Sequence, residues 1–108
     1  MKDDRLYLEQ ILEAVEKILS YVAGGREEFM RNSLVQDGVI RNFEIIGEAP
    51  KQLSEETRCK QPEIPWSDVA RFRDILIHHY MGVNLTRVWK VIEGHLPALR
   101  RAIDELLR

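Results

Sequence analysis

The sequence predicts an all-α fold, an up-and-down bundle of four to five helices in a single domain covering residues 1–108. Three observations lead there. Apolar residues recur at three- and four-residue steps through most of the chain, no segment alternates apolar and polar residues as a half-buried strand does, and glycines and prolines gather between the periodic stretches. No Pro/Gly/Ser-rich linker and no internal repeat divides the chain.

The first helix is predicted from about Asp3 to Val22. Leu8, Ile11, Leu12, Val15, Leu19 and Val22 form its apolar stripe, Glu13 and Lys17 are placed to pair on its outer face, and Gly24-Gly25 ends it. After "REEFMRN" a second pattern turns Val35, Val39, Phe43 and Ile46 inward; Gly47 allows a close helix approach and Pro50 kinks or ends the helix. Ser54 to Thr57 adds one short turn, and "KQPEIPW" is a proline-bearing connector with Ser67 or a neighbour as the next cap. Val69, Phe72 and Leu76 make the third stripe, which breaks after Tyr80 at Gly82 and Asn84. With Asn84 as N-cap, Leu85, Val88, Trp89 and Ile92 follow. After "GHLP", Leu96, Leu99, Ile103, Leu106 and Leu107 form the last helix, with Arg100/Asp104 and Arg101/Glu105 pairs outside.

Composition narrows the function classes. The chain is 44% hydrophobic and 31% charged over 108 residues, which suits a folded domain that buries roughly two-thirds of its unfolded surface. The N-terminus "MKDDRLYLEQ" lacks the basic flank and apolar run of a secretory signal, and no apolar run is long enough to span a membrane, so a cytoplasmic location is expected. Cys59 is the one cysteine, an unpaired thiol with no zinc-like spacing around it. A net charge of −2 supplies no global basic field, so any phosphate site is local. From Trp66 to Val91 the balance turns positive: Arg71, Arg73, Arg87 and Lys90 stand against Asp68 and Asp74.

That region holds "RDILIHHY", residues 73–80. Asp74 and His78, four apart, share a helix face, and a hydrogen bond between them would fix the imidazole tautomer and leave its second nitrogen free to move a proton. Arg73 and Tyr80 also share a face, whereas His78 lies about 140° around the axis from Arg73. One helix therefore does not set Arg73 beside His78, and the geometry favours a composite site. Read without a function, the same residues are a helix end with a snorkelling arginine and partly buried rings.

The stretch from "RNFEIIGEA" through "PEIPW", the R-x4-H-x-Y motif, and "VW" followed by "LP" resembles the HepT-like branch of the HEPN ribonucleases, over about Leu6 to Leu107. The resemblance implies a HEPN-like bundle that forms a homodimer with its motif helices facing. It also implies metal-independent cleavage of RNA, with no cofactor, by the toxin of a type VII-like toxin-antitoxin pair. Arg73 and His78 take the family's catalytic positions, the spacing to Tyr80 selecting His78 over His79. Asp74 supports them where this branch commonly has Asn. The implied partner is a minimal nucleotidyltransferase antitoxin, which would silence the enzyme by transferring AMP to Tyr80; a phosphate-bearing adduct there would occupy the place of RNA phosphate. The alternative is a non-catalytic helical module that dimerises and binds the same partner.

Around the motif, Arg71, Arg87 and Lys90 are candidates to line an RNA groove. His79 is read as a helix-end or interface residue, His95 as part of a helix junction, and Trp66 and Trp89 as packing residues. Asn42 and Glu48, near the second helix's apolar stripe, need partners if buried, and Arg73 is one candidate.

Overall fold

Asp3 opens the first helix of the computed structural model, which describes residues 3–78 and 82–108. Its carboxylate accepts from the Leu6 amide at 3.2 Å, meeting one of the donors that every helix N-terminus leaves open. Helix α1 (Asp4–Tyr21) buries Leu8, Ile11, Ala14, Val15 and Ile18, close to the stripe its periodicity predicts. The chain then turns through Gly25, whose φ of 93° lies in the left-handed region where a side chain is strained.

That turn leads into α2 (Arg26–Arg31), a helix within the "REEFMRN" segment where no element is predicted. Six residues with one buried side chain carry no readable period. The buried side chain is Phe29, fully enclosed, its ring 5.5 Å from that of Trp89. Asn32 separates α2 from α3 (Ser33–Glu48) and caps the latter, its side-chain oxygen accepting from the amides of Leu34 and Val35. Val39, Phe43 and Ile46 of α3 point into the core. Pro50 ends the α-helical pattern as expected, and the chain tightens into a 3-10 turn at Ala49–Gln52.

Ser54 caps the short α4 (Glu55–Cys59), accepting from the Thr57 amide at 3.2 Å. The same serine is clasped to the start of α1. Asp4 accepts from the Ser54 amide at 3.0 Å and from the Ser54 and Thr57 hydroxyls, both at 2.6 Å. The connector is pinned by Trp66, whose indole N–H is shared between the carbonyls of Arg58 and Gln61 at 3.2 Å each. α5 (Trp66–His78) starts one residue ahead of Ser67: the Pro65 carbonyl accepts its first helical bond, from Val69. Asn84 caps α6 (Leu85–Gly94) by accepting from the Arg87 amide, and α7 (Leu96–Leu107) follows after His95.

Among the described residues the elements are thus five long helices and two short ones, an all-helical bundle as predicted. α3 packs against both α1 and α5, α7 also packs on α1, α6 lies on α7, and α2 bridges α3 and α6. Ile11, Ile18, Val39, Val88 and Ile103 from four of these helices meet in one core. The predicted Arg100/Asp104 pair does not form. Arg100 instead reaches across to Glu16 of α1 at 3.4 Å, a tertiary partner that spacing along α7 cannot reveal. No helix among the described residues is long and apolar enough to cross a membrane.

Candidate active site

α5 is the least enclosed of the long helices, with Leu76 its one fully buried residue. Val69, Arg73 and Leu76 fall on the side that meets α3. There Gly47 decides the approach: a β-carbon at that position would overlap Cβ of Arg73 and lie 3.2 Å from the Val69 carbonyl oxygen. The absent side chain of Gly47 is therefore what lets the stem of Arg73 lie against α3. Phe72 adds an edge-on contact with Phe43 of α3, ring centres 5.3 Å apart.

The Arg73 guanidinium emerges at the C-terminal end of α3 between two carboxylates. Its Nη2 lies 3.1 Å from Oε1 of Glu48, and its Nη1 donates to Oδ1 of Asp74 at 3.1 Å. Nε is buried and has no hydrogen-bond partner among the described residues. Glu48 is thus a partner of Arg73, whereas Asn42 satisfies itself within its own helix by donating to the Gly38 carbonyl.

The expected Asp74–His78 hydrogen bond is not formed. Asp74 is taken by its sequence neighbour, because the long arginine side chain reaches round the helix to it. His78 ends α5 and is exposed, with no hydrogen bond among the described residues. His79 and Tyr80 lie outside the described residues.

Positions 71, 75 and 78 fall within about 60° of one another around α5. Arg71 is therefore on His78's side of the helix, not on Arg73's. Arg71 and Ile75 line a groove of about 570 Å³ together with Arg87 and Lys90 of α6 and Phe43 and Ile46 of α3. A smaller hollow shares Phe72, Ile75 and Arg87 with it and extends to Val83. The three cations named from the sequence thus share one groove. It also holds Glu63 and Asp68, and Asp68 pairs with Arg71 at 3.0 Å. His95, at the α6–α7 junction, lines it too. Trp89 is a core residue and Trp66 a connector pin, so neither is laid out as a stacking platform.

Among the described residues no cluster of three or more His, Cys, Asp or Glu side chains is placed to hold a metal ion. The arrangement offers a strongly held arginine, an exposed imidazole on another face of the same helix, and a largely apolar groove that carries Arg71, Arg87 and Lys90 beside Glu63 and Asp68.

Comparison with known proteins bears on this geometry. A family model described as "Ribonuclease HepT-like" matches residues 11–106. A protein of Caldanaerobacter subterraneus subsp. tengcongensis named "Putative RNase" is 39% identical over 100% of this chain and 97% of its own length. One of Thermococcus cleftensis named "Probable ribonuclease HepT" is 41% identical over 93% and 92%. A longer protein of Methanocaldococcus jannaschii, "Gamma-glutamylcyclotransferase and putative RNase", is 43% identical over 98% of this chain, which spans 48% of that relative. No solved structure matches the chain.

Proposed function

We propose that this chain, which belongs to the HepT-like ribonuclease family, is the endoribonuclease toxin of a type VII-like toxin-antitoxin pair. The observation that carries the reading is the spacing of Arg73, His78 and Tyr80, within a chain that matches a ribonuclease family over nearly its whole length. In this reading His78 takes the proton from a ribose 2′-hydroxyl, whose oxygen attacks the adjacent phosphorus. The bond from phosphorus to the 5′-oxygen breaks. That oxygen leaves as a 5′-hydroxyl after taking a proton from water, and the other fragment keeps a 2′,3′-cyclic phosphate. Because the nucleophile belongs to the RNA itself, the step calls on no metal-bound water. Arg73 binds the phosphate oxygens and offsets the charge that grows on them.

Two copies are proposed to join with their motif helices facing, so that Arg73 of one copy meets His78 of the other. The support is angular: the two residues stand about 140° apart on α5. Arg71, Arg87 and Lys90 would guide single-stranded RNA along the groove toward His78. The proposed antitoxin is a minimal nucleotidyltransferase that transfers AMP to Tyr80 and so blocks the phosphate's place.

Cleavage of a single-stranded RNA in the presence of a chelator tests the enzyme. Arg73→Ala and His78→Ala are each expected to lose at least about a hundredfold in rate while remaining helical by circular dichroism. The wild-type products should carry cyclic phosphate ends. Full activity from a folded His78→Ala variant would remove the proposed base. Intact mass after co-expression with the neighbouring nucleotidyltransferase should show AMP-sized additions, absent from Tyr80→Phe.

A further inference from the structure

The surroundings of Arg73 do more than aim a guanidinium. Packing against Gly47 sets its stem, and the buried Nε is closed to a ligand. A phosphate therefore cannot bind side-on through Nε and Nη2. It must come end-on, to the two terminal nitrogens. Those nitrogens already face Glu48 and Asp74, each at 3.1 Å. One positive charge between two negative ones repels an arriving phosphodiester, so one carboxylate must give way.

Asp74 is as exposed as Glu48, 50% against 47%, but no second cation lies against it among the described residues, whereas Glu48 has one. Glu48 is the last residue of α3, half exposed, where the negative end of the helix dipole disfavours a carboxylate that lacks a cation. A second cation is at hand: Lys51 Nζ lies 3.8 Å from the same Oε1 atom that faces Arg73. Glu48 is shared between two cations, and rotation of its side chain suffices to leave one for the other.

We infer that Glu48 is a positioning residue for Arg73 that works as a displaceable clamp: it holds the guanidinium fork while no phosphate is present, and passes to Lys51 when a phosphate takes its place at Nη2. The inference rests on the reading of Arg73 as the phosphate-binding arginine. Exchange of one anion for another makes the affinity of the site a competition, and the acidic partner sets a threshold that weakly held phosphates do not pass.

The test is a titration of the isotope-labelled full chain with inorganic phosphate, followed by NMR through the backbone amides of α5. Glu48→Gln keeps the size of the side chain and removes its charge. It is expected to lower the half-saturating phosphate concentration by about three- to tenfold, an effect moderated by the exposure of the pair. Lys51→Gln, which removes the receiving cation, should raise that concentration by about twofold. In an Arg73→Ala background the gain from Glu48→Gln should disappear.

The clamp is overturned if Glu48→Gln weakens phosphate binding or leaves it unchanged, if the gain persists without Arg73, or if no variant binds phosphate. RNA cleavage by the wild-type chain is scored separately. A chain that shows the clamp but cuts no RNA retires the ribonuclease mechanism alone. A chain that cuts RNA, and whose KM for RNA does not fall with Glu48→Gln, retires the clamp alone.

Discussion

Gly47 of α3 and Arg73 of α5 touch where no side chain can be added: a β-carbon on the glycine would overlap Cβ of the arginine. The helix crossing and the placement of the motif arginine are therefore one structural fact. Gly47→Ala must push α5 away from α3, and overpacking of this kind costs about 1–3 kcal/mol. Thermal unfolding should report that loss. RNA cleavage measured well below the new melting point should fall as well, because the guanidinium shifts with the helix. Unchanged cleavage by the variant would separate Arg73's position from the crossing.

If the site is shared between copies, two dead variants should repair one another. A mixed dimer of Arg73→Ala and His78→Ala retains one site with Arg73 from one copy and His78 from the other. Random mixing in equal amounts should then recover about a quarter of wild-type activity, since half the dimers are mixed and each has one working site of two. Sites built within a single protomer would recover none.

Arg71, Arg87 and Lys90 line one groove, so their loss should resemble the loss of phosphate contacts and leave the core intact. Substitution of Arg87 or Lys90 by Ala is expected to reduce the salt slope of RNA binding by about one each, measured on the His78→Ala background to prevent cleavage. Arg71→Ala should have the smaller effect, because Asp68 already offsets its charge at 3.0 Å. Equal slopes for all variants would mean that RNA does not follow the groove.

The clasp between Asp4 and the α4 cap spans fifty positions of sequence. Asp4→Ala leaves the Ser54 amide and the Ser54 and Thr57 hydroxyls without this acceptor. Chemical denaturation should show a loss of about 1–3 kcal/mol. Asp4→Asn, which keeps an acceptor oxygen, should lose less.

These contacts mark how far the sequence could be read. The long helices were legible because each repeats its apolar residues over several turns and begins or ends at a residue with a local reason to be there, such as Asn84 or Pro50. Helix α2 was not, since Phe29 alone among six residues sets no period. For the candidate site, counting angles separated Arg73 from His78, and Gly47 announced a close approach. The partner of Asp74 could not be foreseen: helical spacing puts His78 over it, but the arginine next to it is long enough to arrive first. Likewise Arg71, Arg87 and Lys90 could be named as cations, while the groove that joins them depends on how α5, α6 and α7 meet.

The two tryptophans give this chain a pair of optical reporters with separate duties. Trp89 sits in the core beside Phe29 with its indole N–H unpartnered among the described residues, so its emission should stay blue until the bundle as a whole opens. Trp66 begins the motif helix and is only partly enclosed, its N–H tied to two carbonyls of the connector. A spectral change confined to Trp66, isolated in a Trp89→Phe background, would signal movement of α5 in a molecule that is otherwise still folded.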